Sequence, residues 1–465
     1  MTPSRRWERS LFAALLALGG LLRLYDIGYS FDSDEAFSVS LASGSLGQVL
    51  AASLQDAPHP PLHNLLLYIW MQLFGTSEVA VRSLSVACSL GFLFLAYRLF
   101  RRFLPVGLAL GALLLVALSP LFVQYGQWAR PYAVIALLSV ANLLAFFRVL
   151  DAPDDSKRRT VWMLSGIFLI YSQYIAGLVI LLETGFLIVR ARTKWRGWLA
   201  AGLAGPVLIL PWMVAAMGQA LAESKDPLPS ISWMPAPTPG ELAWFFTALF
   251  GDPPGVRQVW LLGLLALLVL AYLKAQLPGK RLPAEHVFFL LLGLAIPVFV
   301  WVISALGPKP VFAQRQLLGS ALALAVLTGF ALASLPRLAA MLTLAVLTLW
   351  TAAALPSAFP RTFKPPWRDI AAQLDRELGS ERIITQEVWV RNPLRWYRQS
   401  GEVEHWEDSS PGADRFLFIC RPGQCSRIEA AEFRTRSRLR DRWEWAGETS
   451  QPGELELYEV RQRMP

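Results

Sequence analysis

Residues 29–63 read YSFDSDEAFSVSLASGSLGQVLAASLQDAPHPPLH and gather Asp32, Asp34, Glu35, Asp56 and two of the chain's four histidines, His59 and His63. The stretch directly follows the first long apolar run. Carboxylates beside a bilayer are costly unless solvated or put to use. Partial desolvation raises the pKa of such a group toward the range of a general base. A hydroxyl nucleophile needs a base of that kind, held in place, to take its proton. Asp34 is assigned that work, with Glu35 beside it. The competing assignment for Asp34 is a helix N-cap, because it opens an apparent helix over 36–42 and Asp is a favoured cap. Asp32 carries the same alternative. Asp32-Ser33-Asp34 also spells D-x-D, and two carboxylates hold a hard cation only with further oxygen ligands. A divalent metal on Asp32, Asp34 and His59, with Glu35 as a further ligand, therefore stays open. His59 and His63 are four apart, but Pro60-Pro61 breaks the helical register between them.

The elements that position these groups are membrane helices. The chain has 465 residues, 54% hydrophobic and only 17% charged, with mean hydropathy +0.42. Soluble domains carry about a quarter charged residues. Continuous apolar runs of about 20 residues indicate a polytopic α-helical membrane protein. The expected spans are 9–27, 79–99, 104–122, 131–149, 160–175, 177–192, 197–217, 257–273, 285–305, 316–335 and 338–356, about eleven in all. A cleaved signal peptide at the start is set aside, because no small-residue cleavage site is clear. Residues 59–75 are apolar but short, and are read as an interfacial helix with Tyr68 and Trp70 at headgroup level. That choice puts 18 of the 25 basic residues before position 361 on the cytoplasmic side, as the Lys/Arg bias requires. The N-terminus is then cytoplasmic, and residues 1–360 form a membrane domain whose outer loop, 28–78, holds the acids. Residues 361–465 form a soluble extracytoplasmic α/β domain, with a helix over 367–378 and strands over 382–385, 416–420 and 455–460.

Residues 361–465 contain 18 Lys+Arg and 18 Asp+Glu, so the whole net charge of +9 lies in the membrane part. Topology accounts for it without a nucleic-acid partner. Seven basic residues remain on the outer side against the bias: Arg23, Arg82, Arg130, Lys225, Arg257, Lys309 and Arg315. Arg130 and Arg315 lie where spans meet the outer face, Arg315 close to Lys309. Guanidinium pairs phosphate bidentately, so cations there suit a lipid phosphate. Each is also readable as an ordinary snorkelling cation. Glu183 is read as a polar group buried in the bundle. Cys420 and Cys425 flank Pro422-Gly423 and can pair outside the cytoplasm.

An acidic pair in the first outer loop, an HPPL element, a basic-capped span, then SPLFVQYGQWARPY at an outer face resemble the GT-C membrane glycosyltransferases, in particular the protein mannosyltransferase and aminoarabinose transferase group (glycosyltransferase family 39-like). The similarity covers about residues 10–320. The resemblance implies an inverting hexosyl or pentosyl transferase of the cell envelope, set in the bacterial plasma membrane. It implies a polyprenyl-phosphate sugar donor and an acceptor hydroxyl on a glycan, lipid or protein at the outer face. No cofactor is required. On the matching positions Asp34 is the catalytic acid position, His59 with Pro60 and Pro61 lies near the lipid phosphate, and Arg130 and Tyr132 belong to the second outer loop. Lys309, Arg315 and Arg82 complete the expected phosphate-binding set. Many relatives carry a further acid beside the arginine; here Gln127, Trp128 and Ala129 stand there. Two readings from other classes stay open: a transporter or flippase of lipid-linked sugars, and a non-catalytic assembly factor of glycan synthesis. A transporter would show charges deep in its spans and paired broken helices.

Overall fold

The computed structural model describes residues 3–56, 58–190, 192–224, 234–276, 282–308, 310–362, 364–405, 415–420, 437–445 and 453–461. Seventeen α-helices precede the C-terminal sheet region among these residues: α1 (Pro3–Leu24), α2 (Ser33–Leu41), α3 (Leu46–Ser53), α4 (Leu62–Phe74), α5 (Glu78–Phe103), α6 (Val106–Leu118), α7 (Pro120–Gln127), α8 (Tyr132–Asp151), α9 (Ser156–Ile170), α10 (Ala176–Arg190), α11 (Trp195–Ser224), α12 (Pro239–Thr247), α13 (Val259–Gln276), α14 (Ala284–Leu290), α15 (Ile296–Leu306), α16 (Leu318–Ala333) and α17 (Arg337–Ala354). Then come α18 (Trp367–Leu378), β1 (Ile383–Thr385), α19 (Val388–Tyr397), β2 (Val403–His405), β3 (Arg415–Cys420), β4 (Ser437–Trp445) and β5 (Gly453–Arg461). Each of the eleven expected spans coincides with a helix or a pair of consecutive helices. By length and apolarity, five described helices could cross a membrane, or six if the bent pair α6–α7 is one span.

The chain divides into two compact units, one of residues 1–25, 42–75 and 80–358, the other of residues 26–41, 76–79 and 359–465. Residues 26–41, read from sequence as part of an outer loop of the membrane domain, thus pack with the C-terminal residues.

Aromatic layers fill the core of the first unit: Phe146 stacks on Phe288 at 4.8 Å and Phe147 on Phe289 at 5.5 Å. Two helix irregularities follow from proline. Pro120 ends the regular ladder after α6, and α7 leaves at 55°. Pro297 has no N–H for the Gly293 carbonyl, and the turn before it widens into a π segment, Leu291–Ala295. Arg23 repairs the first break. It is fully buried and donates to the carbonyls of Ala117 (3.2 Å) and Phe122 (3.1 Å), one on each side of the bend. Gly19 O and Ser89 Oγ take its other donors, at 3.0 and 2.5 Å. Glu183 is also fully buried, accepting two bonds from Asn142 Nδ2 (2.8 and 2.7 Å) and one from Trp162 Nε1 (2.7 Å). Arg23 and Glu183 are thus each met by neutral groups of the bundle. The 13-residue α4 is about 20 Å long, too short to cross. The Trp70 indole donates to Ala80 O (3.0 Å) and Ser83 Oγ (2.9 Å), so its polar tip serves α5 instead of a headgroup.

In the second unit the sheet has the order β2-β1-β3-β5-β4. β1 runs parallel to β2 and β3, while β5 is antiparallel to β3 and β4. Trp367, Ile370, Ala371, Leu374 and Leu378 form the buried stripe of α18, each large side chain contributing about 1.5–3 kcal/mol of transfer free energy. Phe31, just before α2, lies 6.1 Å from Trp396 and 6.3 Å from Tyr397 of α19. Cys420 is disulfide-bonded; Cys425 lies outside the described residues.

Candidate active site

The acids at the start of α2 are organised by a lysine from the C-terminal region. Asp32 is the N-cap: its Oδ1 accepts the Glu35 N–H at 2.9 Å, and Glu35 Oε2 accepts the Asp32 N–H at 3.2 Å. This is a reciprocal capping box. The cap expected as an alternative for Asp34 therefore falls to Asp32. Glu35 is fully buried, and Lys364 Nζ lies 2.7 Å from its Oε2 and 3.1 Å from Asp32 Oδ2. Glu35, read from sequence as Asp34's catalytic companion, has its carboxylate committed to this pair and to the cap. Burial raises the Asp32 pKa, against the pull of Lys364 and with the neighbouring charges of Glu35 and Asp34. The segment is clamped further by Tyr29 Oη to Lys364 O and Ser30 Oγ to Pro365 O, both 3.1 Å. The Phe31 N–H donates to Tyr397 Oη at 2.6 Å. Asp34 occupies the second helical position and is half-buried. Two of the acids, Asp32 and Glu35, thus hold the segment that carries Asp34, and Lys364 is the partner sequence reasoning missed. No spacing rule connects positions 329 residues apart.

A second group forms in the other unit, between α3, α4 and the α7–α8 turn. Asp56 Oδ1 lies 2.9 Å from His59 Nδ1, and Arg130 Nη1 lies 3.5 Å from Asp56 Oδ2. Arg130 Nη2 is 3.4 Å from the same His59 nitrogen. A carboxylate beside Nδ1 favours a proton there, so His59 donates to Asp56. Burial would raise the Asp56 pKa, but the charges of His59 and Arg130 and the His59 hydrogen bond outweigh it and hold it at about 2. His63, next to them on α4, is pushed down to about 3 by burial and by the Arg130 charge. Asp56 is the second residue to which sequence reasoning gave no role. It places a carboxylate beside Arg130 from a different loop.

The turn carrying Arg130 is held from three directions. Gln127 Nε2 donates to Leu22 O and Tyr25 O at 2.9 Å, Ser85 Oγ to Trp128 O at 2.6 Å, and the Arg130 N–H returns to Trp128 O at 2.7 Å. Tyr132 packs edge-on to Tyr125 at 4.9 Å, and the Arg315 guanidinium lies 6.0 Å from the Tyr132 ring centroid. His59, Tyr132, Gln173, Tyr174 and Gln316 line a cavity of about 140 Å³, and Gln173 Nε2 fixes the Arg315 segment through Gln316 O at 2.6 Å. The structure thus brings His59 and Tyr132 to the wall of one cavity, with Arg130 beside His59 and Arg315 beside Tyr132. Arg82 is fully buried on α5, and Lys309 lies outside the described residues. The cations suit phosphate oxygens, and a carboxylate such as Asp34 suits a hydroxyl proton. Among the described residues no group of three or more His, Cys, Asp or Glu is arranged to hold a metal ion. Of the D-x-D pair, Asp32 is engaged by Lys364 and by the helix cap, and His59 by Asp56.

Residues 58–214 match the family described as dolichyl-phosphate-mannose-protein mannosyltransferase. No curated protein matches the chain in a sequence search. Among solved structures, ArnT from Cupriavidus metallidurans bound to undecaprenyl phosphate is similar over 97% of this chain and 97% of its own, at 13% identity and TM-score 0.59. The same protein in the apo state is similar over 99% of both chains, also at 13% identity and TM-score 0.59. The Archaeoglobus fulgidus oligosaccharyltransferase in the apo form is similar over 86% of this chain and 64% of its own, at 10% identity and TM-score 0.54. The chain accordingly has the fold of these solved structures, with a match to the mannosyltransferase family over residues 58–214.

Proposed function

We propose that this protein transfers a sugar from a polyprenyl-phosphate donor to an acceptor hydroxyl at the outer face of the bacterial plasma membrane, with inversion at the anomeric carbon. The observation that carries the reading is the buried Asp56–His59–Arg130 group beside a cavity that Tyr132 lines, with Arg315 over the same tyrosine. The likeness to a protein solved with undecaprenyl phosphate supports it.

In the reaction the acceptor oxygen attacks the anomeric carbon, the bond from that carbon to the phosphate oxygen breaks, and the hydroxyl proton passes to Asp34. The polyprenyl phosphate leaves as an anion. Arg130 and Arg315, with Lys309, stabilise its growing charge. Asp56 keeps Arg130 and His59 in register for those oxygens. Asp32, Glu35 and Lys364 position Asp34 without touching substrate. The reaction takes no metal. The acceptor is a hydroxyl of a glycan, lipid or protein.

The test is transfer from a synthetic polyprenyl-phosphate sugar by wild type and Asp34→Asn, each with and without EDTA. Loss of a proton-accepting carboxylate is expected to lower kcat by about 10²–10⁴-fold, with donor binding kept and EDTA without effect. Full activity of Asp34→Asn would sink the assignment and favour a non-catalytic role; loss on EDTA treatment would bring back a metal.

A further inference from the structure

The N-terminal part of α1 and the C-terminal ends of α5 and α8 enclose a cavity of about 570 Å³ lined by Arg98, Arg101, Arg102 and Arg148. None of these residues takes part in the chemistry above. Arg98, Arg101 and Arg102 recur at i, i+3 and i+4, which puts them on one face of α5. Two of the four are already committed. Arg101 Nε donates to Glu8 Oε1 at 3.0 Å, and that carboxylate also takes the Tyr97 hydroxyl at 2.7 Å. Arg102 makes a two-point pair with Asp151 at 2.8 and 2.6 Å. Arg98 and Arg148 are exposed and have no carboxylate partner among the described residues; Arg98 rests on the Phe94 ring at 5.1 Å. Phe12, Phe94 and Leu144 supply apolar wall to the same cavity.

Orientation bias alone asks for positive charge at this end of the bundle. It does not ask for four guanidiniums around one apolar-walled cavity, where lysines scattered over the surface would serve. Arginine offers a planar fork that matches phosphate oxygens. Basic pockets between membrane helices take lipid headgroups. We propose that this cavity binds the phosphate headgroup of an anionic phospholipid, with Arg98 and Arg148 as the phosphate ligands and Phe12, Phe94 and Leu144 against the start of the acyl chains. The site is separate from the one assigned to the donor and does not depend on the proposed reaction.

The experiment uses the full chain in detergent micelles doped with phosphatidylglycerol or phosphatidylcholine, with retained lipid counted by native mass spectrometry. Wild type is expected to keep phosphatidylglycerol and not phosphatidylcholine, and Arg98→Gln/Arg148→Gln to keep about tenfold less at unchanged melting temperature. A second measurement needs no variant: phosphatidylglycerol with a photoreactive headgroup should crosslink wild type within 94–102 and 144–148. Equal retention by the variant, equal retention of the neutral lipid, or crosslinks only elsewhere would overturn the proposal. So would displacement of the lipid by millimolar inorganic phosphate, which would make the occupant a soluble anion.

Discussion

At the scale of single residues, the acids near α2 divide into one that is free to react and two that hold it. Lys364 carries the division, because it is the buried cation facing both Glu35 and Asp32. Removing one partner of a buried pair costs about 3–5 kcal/mol, since the remaining charge stays buried and uncompensated. Lys364→Met should destabilise the folded chain by about that amount, and adding Glu35→Gln should recover part of it; denaturant melts in detergent measure both. Melts of Lys364→Met that match wild type would mean that the acids are not ionised together. His63 gives a pH signature in the other unit. Its folded pKa is about 3 against 6.5 unperturbed, so between those values the unfolded chain binds a proton that the folded chain refuses. Stability is therefore complete above pH 6.5 and falls as pH drops toward 3, by at most about 1.4 kcal/mol per pH unit. Asp56 loses its own contribution only lower, as pH falls from 3.8 through about 2. His63→Leu should flatten the melting temperature between pH 6.5 and 4, and a slope unchanged by the substitution would assign it to other groups.

At the scale of elements, the α6–α7 bend is a device for presenting Arg130. The bend frees carbonyls that water cannot reach, and Arg23 satisfies one on each side of it. Arg23→Met keeps the bulk and removes the donors, leaving those acceptors at about 1–3 kcal/mol each. The expected result is faster amide exchange over 117–130 and a raised KM for the lipid donor, with kcat changed less; unchanged exchange there would make the bend self-supporting. Much at this scale was legible in the chain, and the reasons differ by element. Apolar runs mark helices because lipid leaves the backbone no other partner, and α18 appears at its observed limits because its stripe is strictly periodic. The inner strands β1 and β3 read as apolar and β5 as alternating, whereas β4, SRLRDRWEW, is an edge strand full of charges and gave no signal. α19 was hidden by Pro393 and its β-branched residues, which tertiary packing of Val390 and Leu394 overrides. The candidate site was legible only where chemistry sits in a short motif. Arg130 and Arg315 stood out as cations against the membrane bias, and Asp34 and His59 by their places in the acidic stretch and the HPPL element. Asp56 and Lys364 did not, because their meaning lies in partners brought close by the fold.

At the scale of the whole molecule, an outer-face reaction requires that each end of the helices meet a particular face of the membrane. The Lys/Arg bias predicts that the N-terminus and the arginine-rich ends of α5 and α8 face the cytoplasm. The eleven spans expected from the sequence, an odd number, would carry the C-terminal residues to the opposite face, where a disulfide at Cys420 is at home. Single cysteines at Thr76 and Ser156, both exposed, in a Cys88→Ala background, separate this arrangement from its inverse. Intact cells treated with an impermeant maleimide are expected to label position 76 at once and position 156 only after permeabilisation. The reverse pattern would move Arg130 and Arg315 to the cytoplasmic face and end the outer-face transfer reaction as written. It would leave the arginine cavity's affinity for phosphate intact but transfer it to the opposite leaflet, so the two proposals part company in one measurement. Labelling of both positions from outside would instead mean that the crossings between residues 76 and 156 are even in number, and would strike one of α5, α6–α7 and α8 from the spans.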